Sequence, residues 1–372
     1  MKRYLFALCL YLPTTGFVSP IFYSLLLIFL FAELIEKREF NISNNLYFVI
    51  IFILLSALLL SIHNVILPAD FLDNSYGNLQ KLPFILLLIF SILLTKLIDV
   101  PTVKILISLI LIEVLFGCIE YMLGTRSLFF ALQGTTGFNE SQYWYYHKVY
   151  GLSSNSTPFA FKCLLALILL YYVKETLSRH FFYCANVILM IGLIISFSRS
   201  ALIATFVFFT MYLFKIYTRI EQRIALVLCY LLGFIVFGST MLLQFNRGQS
   251  TIDYSYRDII FQKYSDYISS HLFWGNSGVK LRLTIDDKVY HAHNSFVDLF
   301  ASNGILIGGF FLVILGFCIR KKSVTYILPV LIFSMFQYGI FWGLSFYDVV
   351  FFFLLFNAWT SKNNAFERSL IK

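Results

Sequence analysis

About twelve apolar runs, most of them close to the length of one membrane crossing, leave this chain few ways to fold. They fall near 4–17, 19–35, 46–64, 83–100, 103–121, 158–173, 181–197, 201–216, 224–243, 295–319, 325–341 and 346–360. A hydrocarbon layer about 30 Å thick takes roughly 20 apolar residues per spanning helix. With 59% hydrophobic and only 13% charged residues, against about a quarter charged in soluble domains, no water-soluble core could absorb the apolar surface. The expectation is an all-α polytopic membrane protein with about twelve transmembrane helices, forming a single integral membrane domain over residues 1–372. Two connections are long, at 122–157 and 244–294.

The opening stretch, with Lys2 and Arg3 before an apolar run, imitates a signal peptide. No small-residue cleavage site follows and apolar character resumes at Phe17, so it reads as a retained first span. The six cysteines lie within or at the ends of apolar runs and form no CxxC pair, which makes them packing residues.

Basic residues cluster at every second link and at both ends: Lys2/Arg3, Lys37/Arg38, Lys96/Lys104, Lys174/Arg179, Lys215/Arg219/Arg223, Arg320/Lys321/Lys322 and Lys362/Arg368/Lys372. That alternation, under the positive-inside rule, assigns both termini to the cytoplasm and the two long loops to the outer, periplasmic side. The formal net charge of +9 is spread thinly and forms no basic stripe, so nucleic acid is not an expected partner.

Several polar residues stand where an apolar chain should not put them. On a helix through Tyr256–Leu272, Tyr256, Ile260, Phe261, Tyr264, Tyr267, Ile268 and Leu272 share one face, and Asp258, Gln262, Ser265, Asp266 and Ser269 the other. Such a helix should lie along the membrane surface. Arg257 falls near the middle of the apolar face, either snorkelling to headgroups or pointing into a pocket that holds an anion.

His293 precedes an apolar run that Asn294 or Ser295 can cap. A helix start offers N–H groups and partial positive charge, which suit a phosphate and disfavour an imidazolium. His293 is therefore a candidate neutral base beside a diphosphate, or else a headgroup-level histidine satisfied by water. His291 competes with it, and spacing alone does not choose between them. Ser198-Arg199-Ser200 sits between two apolar runs with almost no loop, and a charge so close to the membrane faces a cavity or a partner. Glu113 and Glu120, seven residues apart, share a helix face, and Lys162 is a candidate structural partner for Glu113. The aromatic stretch Gln142–His147 suits either glycan stacking or the headgroup belt.

These residues resemble the superfamily of O-antigen ligases and Wzy-type O-antigen polymerases, bacterial membrane enzymes of surface polysaccharide synthesis. The resemblance runs over about Gly151–Gly309. It rests on His293-Asn294-Ser295-Phe296 with Gly304 eleven positions after the His, on Ser198-Arg199-Ser200-Ala201, on Arg257 ahead of the turn Gly275-Asn276-Ser277-Gly278, and on Gly151 to Asn155. The chain departs from the pattern at Ser302, where an acidic residue is usual, at Ile307, where a second Gly is usual, and at Tyr150, where an Arg is common.

The resemblance implies a GT-C-like fold and a metal-independent, inverting glycosyl transfer at the periplasmic side of the bacterial inner membrane, with no cofactor. Arg199 and Arg257 would hold the diphosphate of an undecaprenyl-diphosphate-linked glycan, and His293 would activate the acceptor, with Ser198, Ser200, Asn294 and His291 in support. Donor and acceptor would both be lipid-linked glycans in a polymerase, the favoured reading. In a ligase the acceptor would be lipid A core. Membrane lipids and a chain-length regulator protein are the further expected partners. From another class, a lipid-linked oligosaccharide flippase should show paired halves and broken helices near the midplane. This chain instead concentrates its unusual residues in one outer loop and its flanks.

Overall fold

The computed structural model of the chain describes residues 2–15, 20–36, 44–67, 83–128, 148–216, 221, 257–285 and 288–360. In chain order these form α1 (Lys2–Tyr11), α2 (Pro20–Glu36), α3 (Asn44–Ile66), α4 (Phe84–Leu94), α5 (Val100–Met122), α6 (Ser156–Tyr172), α7 (Arg179–Ile195), α8 (Arg199–Ile216) and α9 (Arg257–Ser270). A two-stranded hairpin, β1 (Leu283–Ile285) and β2 (Lys288–Tyr290), precedes α10 (Ser295–Cys318), α11 (Lys321–Phe336) and α12 (Phe346–Thr360). Every predicted apolar run contains a helix except 224–243, which lies outside the described residues, as do the aromatic stretch 142–147 and residues 244–256 of the second long loop.

The helical class is as expected, with the hairpin as an addition: Leu283 pairs with Tyr290 and Ile285 with Lys288, antiparallel. Four described helical stretches are long and apolar enough to cross a membrane: Leu46–Ile66, Val100–Met122, Arg199–Ile216 and Ser295–Cys318. Others, such as Ser156–Tyr172 and Arg179–Ile195, are apolar but shorter.

Local chemistry sets several helix starts. Asp99 accepts from the Thr102 N–H at 2.9 Å to begin α5, Asn155 from Thr157 to begin α6, and Ser178 from Phe181 to begin α7. α6 is apolar all round and buried from Phe159 to Leu170, the mark of a central helix. It packs against α5, α7, α8, α11 and α12. α3 buries Val49, Ile53 and Leu60 while Phe48, Leu55 and Leu58 stay exposed, as a lipid-facing helix requires.

A charged pair sits inside this apolar bundle, and it is saturated. Glu113 Oε1 lies 2.7 Å from Lys162 Nζ, with both side chains at 0% exposure. The carboxylate also accepts from the Tyr11 hydroxyl at 2.7 Å, the Ser153 hydroxyl at 2.9 Å and the Leu152 N–H at 3.2 Å. The expected pairing is present. One turn pair further along α5, Glu120 accepts from the N–H groups of Leu128, Tyr150 and Gly151. The two carboxylates therefore pin the 148–155 segment, including the Gly151–Asn155 stretch, over the end of α5. Gly151 has φ +57°, and an added Cβ would press on Glu113 and Phe159.

Candidate functional site

A second, small core lies beside the main one and holds the outer loop on α10. Ile260 and Tyr264 of α9 are buried against Leu281, Ala292 and Ala301. The buried Tyr264 hydroxyl donates to the Leu281 carbonyl at 2.7 Å, and Tyr267 donates to Asn276 Oδ1 at 3.1 Å. The expected face of α9 is thus real, but its centre is spent on protein. Phe261, 60% exposed, remains outside that contact.

The two glycine motifs of the sequence meet here. Gly304 breaks α10 with φ 72° and ψ 169°, a left-handed φ that favours glycine. The break leaves the Ala301 and Ser302 carbonyls without helical partners, and they accept instead from the N–H groups of Asn276 at 2.8 Å and Gly278 at 2.7 Å. Ile305 N–H returns the favour to the Leu272 carbonyl at 2.8 Å. A Cβ on Gly304 would collide with the Phe273 carbonyl, and one on Gly275 with the Gly304 backbone. The spacing of these glycines is therefore the backbone contact that docks the 271–279 turn into the notch of α10. Ser302, which stands where an acid is usual, is buried and its hydroxyl has no hydrogen-bond partner among the described residues.

Between α9 and the start of α10 lies a cavity of about 450 Å³. Arg257, Asp258, His293 and Asn294 supply its polar wall, and Phe261, Val297 and Phe336 much of its apolar one. Asn294 is the residue that caps α10: its Oδ1 accepts from the Phe296 N–H at 2.8 Å and the Val297 N–H at 3.1 Å, while its Nδ2 donates to the Met335 carbonyl at 2.7 Å. This modifies the expectation of a phosphate on the free helix start, because those two donors are already used. Ser295 does different work, accepting from the Gly339 and Ile340 N–H groups. An anion in this cavity must rely on Arg257.

The electrostatics bind the separated residues together. Burial and then the charge of Arg257 push the His293 imidazole below its usual value, so it is held neutral. Burial and then the charge of Arg199 pull Arg257 down. Arg257 thus sits within the field of Arg199, and His293 within that of Arg257, three groups far apart in sequence. Arg199 opens α8, where the flanking Ser198 and Ser200 are buried and their hydroxyls lie 3.3 Å apart. Two like-charged guanidiniums held near each other favour a multiply charged anion between them.

His291 is turned elsewhere. Its ring centroid lies 4.6 Å from that of His293 but 5.5 Å from Tyr338 and 6.4 Å from Trp342, and it does not line the cavity. Desolvation, with the charges of His293, Arg282 and Lys280 added, lowers it to about 4.

Sequence reasoning missed what lies behind His291. Lys280 sits over the rings of Phe84, Tyr338 and Trp342 at 4.8–5.2 Å and donates to the Tyr338 hydroxyl, which itself bonds the buried Asp298 at 2.8 Å. The predicted run 325–341 hid this, because α11 stops at Phe336. The segment after it is folded by Asp348, which accepts from the N–H groups of Phe341, Trp342 and Gly343. The pair Gly339 and Gly343 was the available signal. Among the described residues no group of three or more His, Cys, Asp and Glu is placed to hold a metal.

Residues 184–314 match the family model described as O-antigen ligase. The matched segment contains Arg199, Arg257, the Gly275–Gly278 turn, His293 and Gly304. No curated protein and no solved structure matches the chain. The apolar helices and the match together mark a membrane protein.

Proposed function

We propose, from the match of residues 184–314 to the family model described as O-antigen ligase, that this chain is a polysaccharide polymerase of the O-antigen ligase and Wzy-type polymerase superfamily. It joins undecaprenyl-diphosphate-linked repeats at the outer face of the inner membrane by inverting transfer. The observation that carries this reading is the cavity in which Arg257 and His293 share a wall facing apolar side chains. Such a cavity suits a charged diphosphate joined to a lipid tail. The two termini would lie in the cytoplasm, and the 122–157 and 244–294 loops on the side of the site.

In the reaction the acceptor hydroxyl gives its proton to neutral His293 as its oxygen bonds the donor's anomeric carbon. The bond from that carbon to the diphosphate oxygen breaks, and its electron pair leaves on the diphosphate. Arg199 and Arg257 stabilise the charge that develops there, as fixed donors in a water-poor site do best. Ser198, Ser200 and Asn294 position these groups. His291, pointing away, supports the loop.

The test is polymer formation by the purified protein from lipid-linked repeat alone. His293→Ala should lose roughly 10²–10⁴-fold in rate while still binding donor. Arg257→Lys should retain part of the activity because it keeps charge but not the fork, and His291→Ala should stay within a few fold. Activity that appears only when lipid A core is supplied would make the protein a ligase. Full activity of His293→Ala would remove the proposed base. Movement of the lipid-linked glycan without bond formation would favour the flippase.

A further inference from the structure

The far end of the bundle holds a second charged cavity. The Phe84 N–H of α4 bonds the Gly278 carbonyl at 2.9 Å, beside the site. The helix then runs through the short turn Thr95–Leu97, on the order of 20 Å away at 1.5 Å per residue. There Lys96 reaches a cavity of about 260 Å³ that Lys2 and Arg3 of α1 and Glu33 of α2 also line. A larger adjoining cavity, about 560 Å³, shares Arg3 and adds Lys104 with the apolar Ile105 and Leu109.

The charges there do not balance. Lys2 pairs with Glu33 at 2.7 Å, and Arg3 reaches Asp99 through Nε at 2.7 Å. Asp99 is further committed to the Thr102 N–H and hydroxyl. Among the described residues, four cations thus face two carboxylates across the two cavities. Lys104 gives its ammonium to the Thr176 carbonyl at 2.7 Å, a neutral partner that cancels no charge. Lys96, half-buried, makes no hydrogen bond or ion pair among the described residues. A partly desolvated cation without a counter-ion is costly unless an anion is supplied from outside.

We propose that these adjoining cavities bind the phosphate group of an anionic phospholipid, with Lys96 and Lys104 as its counter-ions and Phe6, Leu97, Ile105 and Leu109 against the start of its chains. Phosphate is the chemistry the two uncompensated ammoniums recognise. The apolar walls select a lipid-borne phosphate over a free one. The distribution of basic residues assigns this end to the cytoplasm, where juxtamembrane cations gain about 1 kcal/mol each from anionic lipid. The claim is independent of the glycosyl transfer proposed above.

The experiment uses the full chain purified in a neutral detergent, with native mass spectrometry counting bound lipid and a melting curve following stability. Phosphatidylglycerol, phosphatidylcholine and inorganic phosphate are the probes. Phosphatidylglycerol should bind and raise the melting temperature, while the other two should not. Lys96→Gln and Lys104→Gln should each weaken phosphatidylglycerol about fivefold. Lys215→Gln, at the end of α8 and stacked on Tyr326, should leave it unchanged. Equal effects of all three substitutions would mean unspecific charge attraction and overturn the site. Equal stabilisation by inorganic phosphate would make it a free-phosphate site and overturn the lipid assignment. If Lys104→Gln fails to fold because the Thr176 bond is lost, Lys96→Gln alone decides, having no such bond to lose.

Discussion

The Glu113–Lys162 pair and the Arg257–His293 pair are both built from residues that an apolar chain could ill accommodate, and the fold treats them in opposite ways. Inside the bundle, Glu113 has Lys162 at 2.7 Å and three further donors, and neither side chain touches solvent. At the cavity, Arg257 makes no salt bridge or side-chain hydrogen bond among the described residues, and the His293 ring has only the His291 ring beside it. Every valence of the first pair is answered from within the protein. The second lines a cavity whose other walls are largely apolar, with Asp258 and Asn294 beside it. A buried charge that is fully answered holds structure together, whereas an exposed cation at a cavity wall beside a half-buried histidine is where a ligand is expected.

The largest effect should come from breaking the closed pair. Lys162→Met leaves a carboxylate buried and unpaired, which costs about 3–5 kcal/mol. Adding Glu113→Gln should recover a good part of this, since it removes the unpaired charge while its one amide oxygen still accepts on one side, from Ser153 or from Tyr11. Arg257→Gln should change stability by no more than about 0.5 kcal/mol while abolishing most activity. Melting curves and turnover of the same detergent preparations check all three. If Arg257→Gln melts as early as Lys162→Met, the contrast between closed and open charges is wrong.

The closed pair was largely legible in the sequence and the open one only in part. Glu113 and Lys162 lie within long apolar runs, where a charge demands a partner and few are on offer. Helix positions followed from the apolar runs, but their starts did not: Asp99 lay inside the run 83–100 and shows itself as a cap only through its bond to Thr102, as Asn155 does through Thr157. The identity of Asn294 as the cap was narrowed to two residues, and only its bonds to Phe296 and Val297 decide it. The choice of His293 over His291 rested on the resemblance alone, since spacing did not make it. Residues two apart on an extended chain share a side, so alternation cannot separate them, and which one lines the cavity with Arg257 depends on how α9 docks through Ile260 and Tyr264. Lys280 and Tyr338 escaped notice because their partnership spans separate elements and because the 325–341 run looked continuous.

A smaller effect tests the electrical link between the open groups. His293 is held below the ordinary imidazole value, about 6.5, first by burial and second by Arg257. A base must be neutral to accept a proton, so activity should fall only as pH drops through this lowered value. The acid limb of kcat/KM should therefore lie below pH 6.5. Arg257→Gln removes the second cause and leaves the first, so the limb should move upward only part of the way to the ordinary value, whatever happens to the height of the profile. Lys162→Met, remote from the cavity, should leave the midpoint where it is. An Arg257→Gln profile with an unmoved midpoint would show that the two groups do not share a field.

The smallest effect separates the two jobs of Asn294. Its Oδ1 caps α10, and its Nδ2 ties the loop to the Met335 carbonyl at the edge of the cavity wall. Asn294→Ala loses both and should cost about 1 kcal/mol of stability, as a lost cap does. Asn294→Asp keeps an oxygen for the Phe296 and Val297 N–H groups, and a negative charge suits a helix start, so its stability should stay within a few tenths of a kcal/mol of the parent. The same carboxylate, however, cannot donate to Met335 and lines the cavity with Arg257. It should compete with an incoming diphosphate for the guanidinium and raise the KM for lipid-linked donor. Melting and KM measured side by side therefore pull apart: Ala lowers the first, Asp raises the second. An Asp variant as unstable as Ala would mean that the cap is not what Asn294 contributes. An Asp variant with unchanged KM would mean that the anion does not come to Arg257 in this cavity.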